Sequence, residues 1–289
     1  MSAQLLDGKV LATKIKEKLK MQVISLKKVR SSVPRVVNIA IGDHHATCAY
    51  ANAQIKAAQD IGIDYKLDIL PQDISQEKLI DYVQKLNHDP SVNGIMVHKP
   101  VPEHIDYHIV ANYIDGMKDL EGVNVVNIGK MLLGKTNIIP CTPAAVMALI
   151  ESTGIELRGK EVVIVGHSEI VGKPLSLLLL AKMATVTVCH VATSEAGKLV
   201  EHVSRADVLI VAVGKPGLIK GEWIKKGAIV IDVGINQVGS KMVGDVEALS
   251  AQAKASYLTP VPGGVGPVTV VMLMKNAIEA FRLQSEQKT

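Results

Sequence analysis

The chain has 289 residues, of which 48% are hydrophobic and 21% are charged. At roughly 150 residues per domain this length suggests two domains, and the composition excludes a small stapled scaffold and a long disordered tract. The formal charge of +4 comes from basic residues spread along the chain, which is weak support for nucleic-acid binding.

Cysteine use and hydropathy indicate the compartment. Only three cysteines occur, at wide spacings, so a disulfide framework or structural zinc site is not expected. No N-terminal stretch has signal-peptide character, and no apolar window reaches the roughly 20 residues that a membrane span needs. We therefore expect a cytoplasmic protein without a metal, a membrane partner or a nucleic-acid partner.

The first half of the chain alternates helical and extended patterns, which is typical of a parallel sheet covered by helices. Beyond Pro100 and Pro102 the pattern is irregular as far as the Pro140-Cys141-Thr142-Pro143 segment. The predicted helices are 5–26, 47–61 and 75–87, and the predicted strands are 35–41, 65–70 and 94–97.

The second half predicts a doubly wound parallel sheet. Strand, glycine-bearing turn, helix and strand follow one another within about 30 residues, which is the mononucleotide-binding unit of that fold. The predicted strands are 161–166, 185–189, 208–213 and 228–233, and the predicted helices are 174–183, 194–205 and 268–283. We expect two α/β domains, 1–139 and 140–267, with the C-terminal helix of 268–289 packing back onto the first.

A candidate nucleotide turn follows the strand that begins at Glu161. Gly166 permits a tight turn, Ser168 offers a phosphate donor, and Gly172 lets the ligand approach the start of the helix, where free N–H groups favour an anion. Gly214 and Gly234 end two further strands, where a dinucleotide needs close backbone approach. Together the three strand ends favour a dinucleotide site.

Five blocks of the sequence resemble the bifunctional methylenetetrahydrofolate dehydrogenase/cyclohydrolase family. They are residues 42–56, residues 94–102, Lys118-Asp119-Leu120-Glu121-Gly122, Pro140-Cys141-Thr142-Pro143, and the run from Pro260 to Pro267 followed by Thr269. The resemblance implies a homodimer with an interdomain cleft, tetrahydrofolate on the first domain and NAD or NADP on the second. It also implies two reactions, oxidation of 5,10-methylenetetrahydrofolate and hydrolysis of the resulting methenyl cation.

The resemblance also implies the site residues. The catalytic candidates are Tyr50, Gln54, His98 and Lys99. The substrate-binding candidates are Tyr50, Gln54, His98, Glu121, Pro262, Gly263, Gly264 and Thr269. The cofactor-binding candidates are Gly166, His167, Ser168, Ile170, Val171, Gly172, His190, Val191, Thr193, Ala212, Gly214, Pro216, Gly234 and Ile235.

The sequence departs from the family pattern in the folate pocket. The family has Tyr and, four positions later on the same helix face, Lys, whereas here the pair is Tyr50 and Gln54. An amide cannot exchange a proton near neutral pH. Lys56 lies about 200 degrees further around the helix, so it is interpreted as a surface lysine.

Further changes fall in the same pocket. His98 and Lys99 replace the usual Gln-Leu, Glu121 replaces the usual Asp, and Thr47 replaces the usual Ser. These changes predict a dehydrogenase whose cyclohydrolase activity is weak or absent.

A change on the nucleotide side bears on the choice of cofactor. Family members that use NADP tend to have Arg and Ser where this chain has His167 and Val191, so the anchoring of a 2′-phosphate is reduced and we expect a preference for NAD.

Other interpretations stay open at this stage. His98 and Lys99 could form a relocated proton relay that keeps both activities. The changed pocket also permits a different pterin one-carbon adduct, or a folate- and nucleotide-binding protein without turnover. Metal binding by His44, His45 and Cys48 and a nucleophilic Cys141 are less favoured, because no carboxylate cluster or activating base accompanies them.

Overall fold

The computed structural model describes residues 2–42 and 45–286, with the side chains of 45–49 outside that description. The chain divides into two compact units. The three-stranded unit comprises Thr13–Cys141 and the C-terminal residues from Val270 onward. The six-stranded unit comprises Thr142–Thr269 and the N-terminal residues as far as Ala12.

Helices and strands alternate through most of the described chain. The elements up to residue 140 are, in chain order, β1 (Gln4–Leu5), α1 (Gly8–Arg30), β2 (Arg35–Ile41), α2 (His45–Ile61), β3 (Asp64–Leu70), α3 (Gln76–His88), β4 (Gly94–Val97), α4 (Tyr107–Tyr113) and α5 (Val125–Leu132). The later elements are α6 (Cys141–Glu151), β5 (Glu161–Val165), α7 (Gly172–Ala181), β6 (Thr185–Cys189), α8 (Val191–Glu195), α9 (Leu199–Arg205), β7 (Val208–Val211), a 3-10 turn (Gly221–Trp223), β8 (Ile229–Asp232), β9 (Asn236–Val238), β10 (Lys241–Val243), α10 (Ala248–Gln252), β11 (Tyr257–Leu258) and α11 (Val265–Glu286).

The three-stranded unit is built on a parallel sheet with the order β3-β2-β4. The central strand β2 is buried on both faces, which is why its sequence is an apolar run rather than an alternation. One face packs against α1, α2 and the last helix through residues such as Val23, Ile61 and Met274. The other packs against α3 and α4 through residues such as Leu79 and Val110. The side chains near the carboxyl ends of β2 and β4 are thereby brought to one edge of the sheet.

The six-stranded unit is a parallel sheet with the order β1-β11-β8-β7-β5-β6. Strand β5 pairs with β6 on one side and with β7 on the other. The direction of chain winding therefore reverses at β5, and in doubly wound sheets ligands bind outside the carboxyl ends of the strands at such a point. The predicted doubly wound α/β fold is confirmed, and Gly166 lies directly after β5.

Two sequence-based expectations need correction. The predicted helix 5–26 begins only at Gly8, because Gln4–Leu5 pairs with Tyr257–Leu258 as a sheet edge. The domain boundaries 1–139 and 140–267 remain predictions, although the residues as far as Ala12 group with the six-stranded unit. The predicted helix 194–205 is two helices, α8 and α9, because the chain between them bends through Gly197 at φ +71°.

Candidate active site

Gln54 lies on α2 with its side chain fully buried, and its amide oxygen accepts two hydrogen bonds. Asn38 Nδ2, from the middle of β2, donates to Gln54 Oε1 over 3.1 Å, and the Tyr65 hydroxyl, from β3, donates to the same oxygen over 2.5 Å. Asn38 Nδ2 also donates to the Tyr65 hydroxyl over 2.7 Å. These three side chains form a closed triangle that fixes the position of the Gln54 oxygen.

His98 and Tyr50 extend this cluster. His98 Nδ1 lies 3.3 Å from Asn38 Nδ2, and the His98 and Tyr50 ring centroids are 5.7 Å apart. Burial lowers the pKa of His98, so the imidazole is neutral at pH 7 and Nδ1 is able to accept from Asn38. Burial raises the pKa of Tyr50, and the Gln54 side chain beside it opposes the shift. The Tyr50 hydroxyl therefore stays protonated at neutral pH.

A second cluster contains Lys99, Tyr107 and Glu121. The Tyr107 hydroxyl donates to Glu121 Oε2 over 2.7 Å, and Lys99 Nζ lies 3.7 Å from the centroid of the Tyr107 ring. Burial raises the pKa of Glu121 to about 7, with a further contribution from the Asp119 carboxylate, against the opposing effects of Tyr107 and Lys99. Glu121 is therefore a carboxyl group that exchanges its proton near neutral pH.

The loop that carries Glu121 is held by the Asp119 carboxylate. This group accepts hydrogen bonds from the backbone of Gly122 over 3.0 Å and of Asn124 over 2.9 Å, and from Asn127 Nδ2 over 3.0 Å. Gly122 has φ +67°, and a Cβ on it would lie 2.6 Å from the backbone of Ile139. The Lys-Asp-Leu-Glu-Gly block thus owes its residue types largely to the fold of this loop.

Cys141 has none of the features of an activated nucleophile. Its Sγ donates to the Leu120 carbonyl over 3.4 Å, and Asn276 Nδ2 lies 3.6 Å from the sulfur. Burial raises its pKa well above the ordinary value, which disfavours the thiolate that nucleophilic chemistry needs.

The predicted nucleotide turn lies in the six-stranded unit, between β5 and α7. A Cβ on Gly172 would lie 2.1 Å from the Gly166 carbonyl oxygen, and a Cβ on Gly166 would lie 2.2 Å from the Ala212 carbonyl oxygen. The turn therefore closes only with glycine at both positions. Ser168 Oγ accepts from the Val171 backbone over 3.2 Å, which shapes the turn, and no side chain caps the first turn of α7. This geometry fits a pyrophosphate group.

The predicted 2′-ribose position follows β6. The His167 and His190 rings lie 5.2 Å apart, edge to face, and the His190 backbone donates to Thr193 Oγ1 over 3.2 Å. Val191 is 64% exposed and Ile170 is 38% exposed, so both apolar side chains are available to a ligand. Among the described residues, the ring of His167 contacts only the His190 imidazole, and no acidic side chain occurs between His190 and Ser194.

The remaining cofactor candidates lie on two loops that a buried carboxylate joins. Asp245 Oδ2 accepts from the backbone of Val213 over 2.7 Å and of Gly214 over 3.0 Å. Asp245 Oδ1 accepts from Asn236 Nδ2 over 2.9 Å. One carboxylate thus binds the loop that follows β7, which carries Ala212, Gly214 and Pro216, and the loop that follows β8, which carries Gly234 and Ile235.

The other predicted substrate residues belong to the six-stranded unit. Gly263 O accepts from the Gly8 backbone over 2.9 Å, and a Cβ on Gly8 would lie 1.7 Å from Gly264 O. Pro262 and Gly263 follow a cis peptide bond at Val261. Thr269 is buried, and its hydroxyl donates to the Val265 carbonyl of its own helix over 3.2 Å.

The sequence-based reasoning missed Asn38, Tyr65, Tyr107 and Asp245. For Asn38 a signal was present, because it is a single amide within the apolar run of β2, where a buried polar side chain needs a partner. For the other three only the tertiary contacts reveal a role.

Neither a metal-binding cluster nor a membrane-spanning helix occurs in the part of the chain that the structure describes. Its side chains include no group of three or more His, Cys, Asp or Glu that could hold a metal ion. The predicted Thr47, and the candidate ligands His44, His45 and Cys48, lie outside the described side chains. No helix within residues 2–42 and 45–286 is long and apolar enough to cross a membrane.

Comparison with known proteins identifies the family of both units. Residues 6–121 match the catalytic domain of tetrahydrofolate dehydrogenase/cyclohydrolase, and residues 140–285 match its NAD(P)-binding domain. The chain is 50% identical over 289 residues to the bifunctional protein FolD of Acetivibrio thermocellus, covering 100% of each. It is 43% identical over 283 residues to the bifunctional protein FolD of Bacillus subtilis, covering 98% of this chain and 99% of the relative.

Solved structures of family members have the same fold as this chain. The bifunctional FolD methylenetetrahydrofolate dehydrogenase/cyclohydrolase of Campylobacter jejuni has a TM-score of 0.93 and 40% identity, covering 98% of this chain and 99% of that chain. The Trypanosoma brucei enzyme, complexed with NADP and an inhibitor, has a TM-score of 0.93 and 38% identity, covering 99% of each. From its matches to both domains and to full-length relatives, the chain belongs to the tetrahydrofolate dehydrogenase/cyclohydrolase family.

Proposed function

We propose that this chain is an NAD(P)-dependent dehydrogenase that oxidises 5,10-methylenetetrahydrofolate to 5,10-methenyltetrahydrofolate, with weak or absent cyclohydrolase activity. The observation that carries the proposal is the buried amide of Gln54 beside Tyr50, held by the neutral side chains of Asn38 and Tyr65. The folate would bind to the three-stranded unit, which carries these residues, and the nucleotide to the six-stranded unit.

The ammonium groups of Lys56 and Lys99 act on groups other than Gln54. Lys56 is exposed on α2, where its charge acts on Asp60. Lys99 places its ammonium over the Tyr107 ring and acts on Glu121. Among the described side chains, the hydrogen-bond partners of Gln54 are Asn38 and Tyr65 and neither of these two lysines, which supports a site without a titratable amine beside Tyr50.

The two reactions make different demands on this site. Oxidation requires that two rings are held in position, and it leaves a positive charge on the folate. A neutral side chain at position 54 does not repel that charge, whereas an ammonium would. Hydrolysis requires a group that takes a proton from water or gives one to the departing nitrogen, and an amide does neither. Gln54 is therefore compatible with the first reaction and unsuited to the second.

The nucleotide would be held by the glycine turn and by the loops that Asp245 joins. Its pyrophosphate would meet the Gly172 N–H at the start of α7 and the Ser168 hydroxyl, and the nicotinamide end would meet the backbone near Gly214 and Gly234. When bound, the nicotinamide ring supplies the acceptor for the hydride.

NAD is the proposed cofactor. The exposed apolar Val191 offers no hydrogen bond to a 2′-phosphate, and His167 lacks the forked guanidinium with which an Arg binds phosphate. A comparison of kcat/KM with NAD and with NADP tests this point, and a strong preference for NADP would overturn it.

A fully bifunctional enzyme is the second candidate. The relatives named as bifunctional support it, and so does Glu121, whose pKa of about 7 suits proton exchange at neutral pH. In this alternative Glu121, Lys99 and His98 would replace the missing amine as a proton relay.

The experiment is an assay of both half-reactions on the purified protein, alongside a Gln54→Lys variant. We expect NADH formation from methylenetetrahydrofolate, little hydrolysis of methenyltetrahydrofolate, and increased hydrolysis in the variant. Asn52→Lys adds an ammonium at an exposed position of the same helix and should leave hydrolysis unchanged.

Two outcomes of this assay would favour the alternatives. Hydrolysis by the unmodified protein at a rate comparable to oxidation establishes the bifunctional alternative. Binding of both ligands without NADH formation indicates a non-catalytic protein or a different one-carbon adduct.

The family resemblance also suggests a cytoplasmic homodimer, which sedimentation equilibrium and cell fractionation would test.

A further inference from the structure

The amide of Gln54 is held by its oxygen alone. Asn38 Nδ2 and the Tyr65 hydroxyl both donate to Gln54 Oε1, over 3.1 Å and 2.5 Å. Both partners are on neighbouring strands of one parallel sheet, β2 and β3, so they form a rigid pair of donors. With its oxygen facing these two donors, the Gln54 amide directs its nitrogen elsewhere. Rotation of this amide alone by half a turn would bring its N–H groups against the N–H groups of Asn38.

The nitrogen of the same amide has no partner. Gln54 is 0% exposed, and no atom of the described residues accepts a hydrogen bond from Gln54 Nε2. Tyr50 is a neighbouring residue and is 39% exposed, and the Gln54 side chain opposes the rise that burial causes in the pKa of Tyr50. A buried N–H group without an acceptor costs about 1–3 kcal/mol, so this donor is expected to have a partner in the working protein.

Asn38 is itself fixed by a third contact. Its Nδ2 lies 3.3 Å from His98 Nδ1, and burial lowers the pKa of that imidazole, so Nδ1 is available as an acceptor. With Tyr65 donating its own hydrogen to Gln54, the Tyr65 oxygen is free to accept from Asn38. Asn38 Nδ2 has two hydrogens for three neighbouring acceptors, Gln54 Oε1, the Tyr65 oxygen and His98 Nδ1, so it donates to two of them at a time. In this arrangement the Gln54 oxygen faces β2 and β3 and accepts from Asn38 and Tyr65.

We propose that Asn38 and Tyr65 are positioning residues that hold the nitrogen of the Gln54 amide toward Tyr50, where it donates a hydrogen bond to an acceptor atom of the bound reduced pterin, such as a carbonyl oxygen or a ring nitrogen. The inference deepens the proposed function and rests on it. It assigns Gln54 a binding role in the oxidation, in addition to the loss of an amine for hydrolysis. It also assigns roles to two residues that contact the ligand only through Gln54.

If Gln54 donates a hydrogen bond to the pterin, replacing its N–H group with an acceptor should weaken tetrahydrofolate binding. A carboxylate in Gln54→Glu still accepts from Asn38 and Tyr65, but its second oxygen offers an acceptor where the ligand also has one. Loss of one buried hydrogen bond corresponds to about a tenfold weaker affinity. Because a protonated carboxyl group is again a donor, tetrahydrofolate binding by this variant should improve from about pH 8 to about pH 6.

The experiment measures dissociation constants for tetrahydrofolate and for NAD by anaerobic titration calorimetry. Tyr65→Phe removes one of the two donors without removing the ring, and it should weaken tetrahydrofolate binding roughly three- to tenfold at both pH values. Tyr82→Phe is the matched control, since the Tyr82 hydroxyl also makes a 2.5 Å hydrogen bond, to Asp68, outside the cluster. The NAD dissociation constant should be unchanged in all three variants, which also shows that they are folded.

The outcomes separate this inference from the proposed function. Tetrahydrofolate binding by Gln54→Glu within twofold of the unmodified protein at both pH values would overturn the donor role. An equal effect of Tyr65→Phe and Tyr82→Phe would overturn the positioning role. Either result leaves the dehydrogenase proposal intact if the unmodified protein still oxidises methylenetetrahydrofolate. Absence of tetrahydrofolate binding by the unmodified protein would overturn both.

Discussion

The backbone amide of Asp245 donates to the carboxylate of Asp232 over 3.0 Å, and both side chains are buried in the six-stranded unit. Asp232 also accepts from the Gly234 backbone over 3.0 Å, while Asp245 accepts from the backbone of Val213 and Gly214. Two successive carboxylates therefore fix the loops that follow β7 and β8, which are the loops proposed to meet the nicotinamide end of the nucleotide.

Asp245→Asn should disturb both loops. The amide presents one N–H-bearing atom where the carboxylate accepted hydrogen bonds, so at least one buried donor loses its acceptor, at a cost of about 1–3 kcal/mol in the free energy of unfolding. We expect weaker NAD binding as well. Urea unfolding and NAD calorimetry measure the two effects, with the exposed Glu222→Gln as control. An Asp245→Asn variant that matches this control in both measurements would contradict the bridging role.

The pH dependence of stability should report Glu121. Burial raises its pKa from 4.5 to about 7, so between these values the folded protein holds a proton that the unfolded chain releases. The free energy of unfolding contributed by this group therefore falls as the pH rises through that window. In Glu121→Gln the group is absent, and the Tyr107 hydroxyl still finds an acceptor.

Urea unfolding at several pH values measures this effect. The free energy of unfolding of Glu121→Gln, relative to the unmodified protein, should rise by about 3 kcal/mol between about pH 5 and about pH 8. The exposed Glu103→Gln should show no such trend. A constant difference for Glu121→Gln across this range would mean that the Glu121 carboxyl ionises as it does in the unfolded chain.

Gly172→Ala should damage the nucleotide turn. The added Cβ would lie 2.1 Å from the Gly166 carbonyl oxygen, a backbone atom that moves only if the turn opens. Overpacking of this kind costs about 1–3 kcal/mol, which corresponds to about a tenfold weaker NAD affinity if the turn must close to bind. Calorimetry with NAD and, separately, with tetrahydrofolate measures the effect, and only NAD binding should change.

Gly129→Ala is the matched control for that substitution. Gly129 lies in α5 with no atom within 4 Å of the added Cβ, so alanine should leave NAD binding unchanged and stabilise the helix by about 0.5–1 kcal/mol. If both variants bind NAD equally well, the close packing of Gly172 on Gly166 is not needed for the nucleotide.

Lys118→Met should lower stability through the end of α3. The Lys118 ammonium donates to the carbonyls of Leu86, Asn87 and Asp89 over 3.0, 2.7 and 2.8 Å, and the residue is 6% exposed. Loss of these charge-assisted bonds should cost about 2–4 kcal/mol in the free energy of unfolding. The exposed Lys85→Met, on the same helix, should change it by less than about 0.5 kcal/mol. Equal changes in the free energy of unfolding for the two variants would mean that the three Lys118 hydrogen bonds do not stabilise the fold.

Seven strands of the two sheets were predictable because their apolar runs are bounded by glycine, proline or polar residues. The strands predicted over residues 94–97 and 185–189 have the bounds of β4 and β6 in the structure. The short edge strand β1 was not predictable, since two residues carry no periodicity and form a strand only because β11 lies beside them.

The sequence by itself determined the family, the glycine turn and the replacement of an amine by Gln54, because these depend on residue types at fixed spacing along the chain. Only the tertiary structure decided which side chains surround that amide. Asn38, Gln54 and Tyr65 are brought together by strand pairing and helix packing, and hydrogen bonds between residues distant in sequence leave no periodic signal. Likewise, burial gives Glu121 a pKa of about 7, and burial is a property of the folded chain alone.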